Sequence, residues 1–398
     1  MMTTSGTPPW PPRTEQELQD AANNGLLVES HKLDLKRELG SKNVKTAADL
    51  AAFAVDGGTI IVGVDEGPPV TLAPFVLKGI RERIEQIGLS AVDEVVHVST
   101  YDIPCAADAT RGYVVVEIPV SGRAPHMADG RYYARGDSQN IVLSDAEVMR
   151  WHERKLQERN NLREEARCEL QALADAAIGN TPINLLIIAE PLGARRDVLL
   201  ALSSTPDYRK DVASLLHSAS LSNSGIPSSY LHSPTQIERH PEGILAVAEM
   251  TNANQTAWAN RSELIFHEET GRLALRSGGI IEHVPGSSPA RRCLRDTRIL
   301  GHTEILTRLT GIIGNGYGYS GSWQFAIALN NLGRTTSCLF NNTMTLDDPP
   351  VYKAATYDQS TVASLQEITK APQAVVWALT SKLLRGLGTE GQWPWLVS

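Results

Sequence analysis

The chain lacks most of the features that assign a protein quickly, and each absence removes a class. None of its 398 residues fall in an apolar run of about eighteen, so no membrane-spanning helix is expected. The opening MMTTSGTPPWPPRTEQ is polar and proline-rich without an apolar core. It does not read as a secretory signal, and residues 1–13 are expected to be a disordered lead-in. The four cysteines, Cys105, Cys168, Cys293 and Cys338, are widely separated and form no C-x-x-C pair. Neither a zinc site nor a disulfide framework is expected, and the cytoplasm is the default location. The G-x-x-x-x-G-K-[ST] pattern is missing, which excludes ATP binding through a Walker motif. No tandem repeat is visible. Basic residues are also in deficit. The net charge is −8, and residues 1–150 hold 14 Lys and Arg against 21 Asp and Glu, a formal −7. That balance counts against a generic nucleic-acid binder, which needs a basic patch. A bound cation would neutralise part of an acidic cluster, so phosphate binding is not excluded.

What is present concentrates in ESHKLDLKREL, Glu29–Leu39, and AAFAVDGGTIIVGVDE, Ala51–Glu66. KLDLK alternates apolar and charged residues, the period of a half-buried strand. Leu33 and Leu35 would face the core, with Lys32, Asp34 and Lys36 on the other face. A helix is expected from Lys45 to Val55, with Ala47, Leu50, Ala51 and Ala54 as its apolar stripe. Gly57 and Gly58 break the chain, and TIIVGV reads as a fully buried strand ending at Asp65 and Glu66. Glu29, Asp34, Asp65 and Glu66 could gather as hard oxygen ligands for Mg²⁺ or Mn²⁺. Lys36 points the same way as Asp34 and could stabilise charge on a phosphate, as phosphodiester cleavage requires. Solvated strand ends and a surface ion pair would carry the same residues.

Two groups could contact nucleic acid: Lys32, Arg37, Lys42 and Lys45 near the acids, and Arg123, Arg131 and Arg135 further on. In GRYYARGD, Arg131, Tyr133 and Arg135 alternate onto one face that could hold a phosphate and stack a base. A solvated polar face fits the same pattern. His126, in the turn before it, is a proton-donor candidate or simply a turn residue. Thr14 and Glu17 suggest a capping box opening a first helix. PFVLKGIRERIEQIGLS reads as a helix with Val76, Ile80, Ile84 and Ile87 on one face, and EVVHVSTYDI and GYVVVEIPVS as strands. Residues 151–178 are rich in both charges and read as a helical connector whose apolar positions keep no clean heptad. Residues 179–398 read as a separate α+β domain without a catalytic motif. Its expected parts include a polar loop around residues 220–241, strands with a hairpin turn at EETG, and a helix from CLRDTRIL to IIGNG. A hairpin around NNLG and a C-terminal helix with a glycine stop complete it.

Several of these motifs, in this order, resemble the Schlafen-type AlbA-like domain, also labelled a divergent AAA or DNA-binding domain. They are Glu29, Asp34-Leu35-Lys36, Ala52-Phe53-Ala54-Val55, Gly57-Gly58, Gly63-Val64-Asp65-Glu66 and the block RAPHMADGRYYARGDSQNIVLSDAEV. The resemblance covers about residues 20–155 and implies an α+β fold: a mixed sheet with helices over residues 14–150, then the connector and the separate C-terminal domain. It implies a metal-dependent ribonuclease site at Glu29, Asp34 and Glu66, with Lys36 beside them, acting on structured RNA such as tRNA in defence or stress response. The chain departs from the family pattern in carrying Asp34 where Schlafens have Glu, Glu66 where they have Asp, and Val55 for the usual Asn. Many relatives carry the domain as a binding module, so a DNA-binding regulator with a C-terminal sensor is the alternative. A structural protein that uses the inherited fold for protein contacts is a third use, and the C-terminal domain could instead support a homodimer. The enzyme requires carboxylate oxygens roughly 4 to 5 Å apart.

Overall fold

The computed structural model describes residues 10–175, 183–193, 199–221, 225–226, 229–249, 261–283, 291–342 and 349–396. Residues 1–9 of the expected lead-in, 176–178 of the expected connector, and 222–224 and 227–228 of the expected loop lie outside that set. The chain divides into two units, Met1–Lys155 and Leu156–Ser398.

In the first unit, Thr14 starts α1 (Glu15–Asn23) by accepting from the Glu17 amide at 3.2 Å. Glu17 reaches back to the Arg13 amide instead of the Thr14 amide, at 2.7 Å. β1 (Leu33–Lys36) and β2 (Gly58–Val62) run parallel, with Asp34 opposite Ile60, and α2 (Asn43–Phe53) lies between them in sequence. β3 (Val64–Asp65) and β4 (Thr71–Leu72) make a small ribbon. Then come β5 (Phe75–Val76), α3 (Ile80–Ser90), β6 (Val92–Asp93), β7 (Ser99–Cys105), β8 (Asp108–Ile118), β9 (Met127–Ala128), β10 (Arg131–Arg135) and β11 (Asn140–Val142). One mixed sheet has the order β1-β2-β8-β5 with β7 also on β8, and a second has the order β11-β10-β9-β6.

The apolar run of β2 explains the layering. Successive strand side chains point to opposite faces. Ile60 and Val62 pack with α2 and α3, whereas Ile61 joins Leu33, Leu35 and α1. Both faces are therefore covered, which corrects the half-buried reading of β1. Asp34 and Lys36 do lie opposite Leu33 and Leu35, but on the face that α2 covers, and Asp34 is only 5 % exposed. Two further expectations shift. α3 starts at Ile80, after Gly79 at φ +77°, so Val76 falls in β5 and is exposed. β7 begins at Ser99, leaving His97 ahead of it and half-buried.

α4 (Asp145–Asp175) is one unbroken helix of 31 residues. In the second unit it is followed by β12 (Ile183–Pro191), α5 (Leu200–Ser204), α6 (Tyr208–Ser220), β13 (Gln236–His240), β14 (Gly243–Glu249), β15 (Arg261–His267), β16 (Leu273–Gly278), β17 (Ile281–His283) and β18 (Arg292–Leu294). α7 (Asp296–Gly316), β19 (Ser322–Leu329), β20 (Thr335–Ser337), β21 (Tyr357–Ser364), α8 (Leu365–Lys370) and α9 (Pro372–Leu387) complete it. An antiparallel sheet of order β13-β14-β15-β16-β12-β19-β21 forms the centre, and β17-β18-β20 a smaller sheet. Leu162, Ala166 and Leu170 of α4 pack against Leu186, Ile188, Ala326 and Ala328. The main core, with residues of α6, α7 and α9, draws on the alternate positions Leu185, Ile187, Phe325 and Ile327.

Three expectations change in this unit. Gln236–His240 is a strand, because β14 supplies it with an antiparallel partner. The hairpin around NNLG does not form. β19 pairs with β12 and β21, while β20 leaves to run parallel to β18. The turn between them has Asn331 at φ +57° and Arg334 at φ +64°, and Arg292 holds the Gly333 carbonyl at 3.2 Å. Cys293 and Cys338 form a disulfide with Cα atoms 5.0 Å apart. The β18–β20 register places Cys293 opposite Thr336, so 45 residues of separation in sequence become adjacency in space. Cys105 and Cys168 are free. The fold is α+β, as the sequence implied, and among the described residues no helix is long and apolar enough to cross a membrane.

Candidate nucleic-acid site

β1 carries Asp34 and Lys36 beneath α2, where the interior would ordinarily reject both charges. They survive because a closed ring of partners surrounds them. The Lys36 ammonium lies 2.6 Å from Asp34 Oδ2 and 2.9 Å from Asp49 Oδ2. Arg135 donates through Nη2 to Asp34 Oδ1 at 3.0 Å and through Nη1 to Asn140 Oδ1 at 3.1 Å. Asn140 Nδ2 donates to Asp49 Oδ1 at 2.6 Å and closes the ring. The Arg135 guanidinium also lies 4.8 Å from the centre of the Phe53 ring. Burial pulls the Lys36 ammonium down, but Asp49 and then Asp34 outweigh it and hold the group above its usual value. Two carboxylates thus face two cations, the balance a buried charge cluster needs.

Glu29 stands beside this ring, and among the described residues no cation pairs with it. Its Oε1 accepts from the Leu35 amide at 3.2 Å. Its carboxyl is pushed up to about 7, first by burial and then by the neighbouring carboxyls of Asp34 and Glu66, against the lowering effect of the Leu35 amide. Glu66 is exposed at the end of β3. Asp65 beside it pairs with Arg37 at 3.2 Å. The structure therefore gathers Glu29, Asp34, Lys36 and Glu66. In kind, these carboxylates suit a hard divalent cation. In spacing they are open: no three of these acids bring donor oxygens all within 4.8 Å of one another.

The other expected contact residues divide. Lys42 and Lys45 are exposed at the start of α2, and Arg37, Arg123 and Arg131 are exposed as well. Lys32 is exposed and donates to the Asp56 carbonyl. Tyr133 packs partly against the α2 core, and the Arg135 side chain is only 5 % exposed. Of the three alternating residues on β10, only Arg131 is left on the surface. His126 is buried, with Nε2 2.7 Å from Ser121 Oγ and Nδ1 3.3 Å from the Asp93 carbonyl. Burial lowers its pKa. It is a locked turn residue rather than an accessible proton donor.

Two members of the ring escaped the sequence reading. Asp49 had a signal, being a lone acid in the apolar run AADLAAF. Asn140 had none, because its role depends on where β11 lies.

Residues 29–144 match the family model for Schlafen, AlbA_2. No curated protein matches the chain. Among solved structures, the DIP2311 protein from Corynebacterium diphtheriae aligns at 11 % identity over 79 % of this chain and 66 % of that one. The TM-score is 0.24, and the likeness carries no argument. The family match starts at Glu29 and ends just past β11, so it encloses the whole ring and its neighbouring acids. Residues 29–144 of this chain are a Schlafen-type AlbA-like domain.

Proposed function

We propose that the first unit handles nucleic acid and cleaves phosphodiester bonds with a divalent cation, as an endoribonuclease on structured RNA such as tRNA. The observation that supports this is the Glu29 carboxyl, raised to about 7 beside Asp34 and Glu66 and next to the Lys36 ring. Lys36 and Arg135 already balance Asp34 and Asp49, so the uncompensated acids are Glu29 and Glu66. Mg²⁺ or Mn²⁺ would be held by Glu29 and Glu66 with Asp34 alongside, and would supply an acidified water and charge neutralisation at the phosphate. The raised carboxyl of Glu29 marks negative charge that such a cation would relieve by favouring the ionised form. Lys36 holds Asp34 in place and presents positive charge towards the phosphate. Exposed Lys42, Lys45 and Arg131 would hold the backbone of the nucleic acid.

One observation favours a second reading. The oxygens of Asp34 are already engaged by Lys36 and Arg135, as in a structural ion network. A non-catalytic DNA-binding regulator would use the same surface without cleavage. The test is incubation of the purified protein with total tRNA and with single- and double-stranded DNA, in Mg²⁺, Mn²⁺ or EDTA, beside Glu29→Ala and Glu66→Ala. Metal-dependent RNA cleavage lost in both variants supports the nuclease. Cleavage that is absent, or equal in all three proteins, rejects it. Retained binding that weakens in Lys42→Ala or Arg131→Ala then supports the regulator.

A further inference from the structure

β18 and β20 run parallel, with Arg292 opposite Thr335 and Leu294 opposite Ser337. The chain leaves the carboxyl end of β18 through Arg295 straight into α7, and leaves that of β20 at Cys338. At this edge is a cavity of about 320 Å³ lined by Tyr230, Glu282, Arg295, Thr297, Arg298 and Cys338, among others. The crevice outside the carboxyl ends of parallel strands is a common place for ligands. A helix N-terminus there adds amide hydrogens and positive potential. Arg295, at the N-cap of α7, provides no side-chain cap; the Arg298 amide donates to the Arg295 carbonyl at 3.1 Å, which leaves the Thr297 amide as the first-turn donor nearest the cavity.

Charge points the same way. Two guanidiniums line the cavity against one carboxylate, and Arg295 is paired with Glu282. Arg298 is 7 % exposed, donates to the Gly279 carbonyl at 3.1 Å and lies 5.0 Å from the centre of the Tyr230 ring. Both arginines are lowered by burial, and at Arg295 the charge of Arg298 lowers it further. Two like charges are thus held close together, an arrangement an anion relieves. Glu282 supplies one carboxylate, and Asp296 does not supply a second. Asp296 turns instead to Ser337 Oγ at 2.8 Å and Thr389 Oγ1 at 3.0 Å, and is 1 % exposed.

We propose that this cavity is a binding site for a small oxyanion, a molecule bearing a phosphate or carboxylate group, held by Arg295, Arg298 and the first turn of α7. The volume is at the small end of ligand pockets, which suits a metabolite-sized anion rather than a polymer. The inference is independent of the nuclease reading, because every residue used lies in the second unit.

Titration calorimetry on the full chain at constant ionic strength tests it, with inorganic pyrophosphate and malonate as the probes and sodium chloride as the control. Saturable binding of either probe at one site is expected, and which of them binds identifies the phosphate or the carboxylate source. Arg295→Gln should weaken it by about tenfold or more, the loss of a charge-assisted contact. Thr297→Glu should do the same by placing an acid in the cavity. That variant should fold normally, since an acid suits a helix first turn, and circular dichroism and a thermal melt would check it. No saturable binding up to about 10 mM of either probe, or wild-type affinity in either folded variant, overturns the proposal.

Discussion

Replacing Glu29 with glutamine keeps the shape of the side chain and its acceptor for the Leu35 amide, and removes one charge. The consequence follows from the raised carboxyl. An ordinary glutamate titrates near 4.5, and Glu29 near 7. Between those limits the folded protein binds more protons than the unfolded chain, so the stability held below the lower value is lost as pH rises through the upper one. At about 1.4 kcal/mol per pH unit the ceiling is about 3 kcal/mol. Glu29 is only partly buried, and solvent screening reduces this to about 1 kcal/mol. Glu29→Gln should therefore gain about 1 kcal/mol on wild type between about pH 5 and about pH 8. In thermal melts across that range, this is a relative rise of about 2–4 °C for a unit of this size. RNA cleavage should fall to background in the same variant. A difference from wild type that stays constant with pH, or that turns against the variant as pH rises, would refute the reasoning.

Three further perturbations follow from the packing. Lys36→Met leaves Asp34 and Asp49 buried together without their shared cation, and should cost about 3 kcal/mol in urea unfolding; a loss under about 0.5 kcal/mol would mean the ring does not stabilise the unit. Gly58→Ala would drive its Cβ into the Phe53 ring and to 2.9 Å from the Lys32 carbonyl. Because Arg135 rests on that ring, a loss of about 1–3 kcal/mol should come with weaker nucleic-acid binding, read by melting and by gel shift. Thiol titration of the unfolded, unreduced chain should find Cys105 and Cys168 alone. Reducing the Cys293–Cys338 bond, which closes 45 residues, should lower the stability of the second unit by about 4 kcal/mol, and four titratable thiols before reduction would contradict the pairing.

The sequence was most legible where periodicity and breakers agree. The TIIV run, the glycine after α9 and the alternation in KLDLK each placed an element close to where it lies. It was least legible where pairing decides. Nothing local distinguishes a β19–β20 hairpin from strands in different sheets, and the Cys293–Cys338 bond depends on that choice. For the site, Glu29, Asp34, Lys36 and Glu66 could be read from acid and lysine spacing and from family resemblance. Arg135 was found for its charge but expected to face outwards. Alternation told which residues share a face, not whether α2 covers it. Asp49 and Asn140 join the site only through tertiary placement.

The ring around Lys36 can close only when distant parts of the chain are both present. Asp34 and Arg135 are 101 residues apart, and Asp49 and Asn140 are 91. Contacts this distant must overcome loop-closure entropy before they stabilise anything. During synthesis, Glu29, Asp34, Lys36 and Glu66 emerge well before Arg135 and Asn140. A nascent chain that stops short of β10 holds every acid of the site but neither residue that locks Asp34 and Asp49 into register. A partly made chain thus carries the chemistry's ingredients without their geometry.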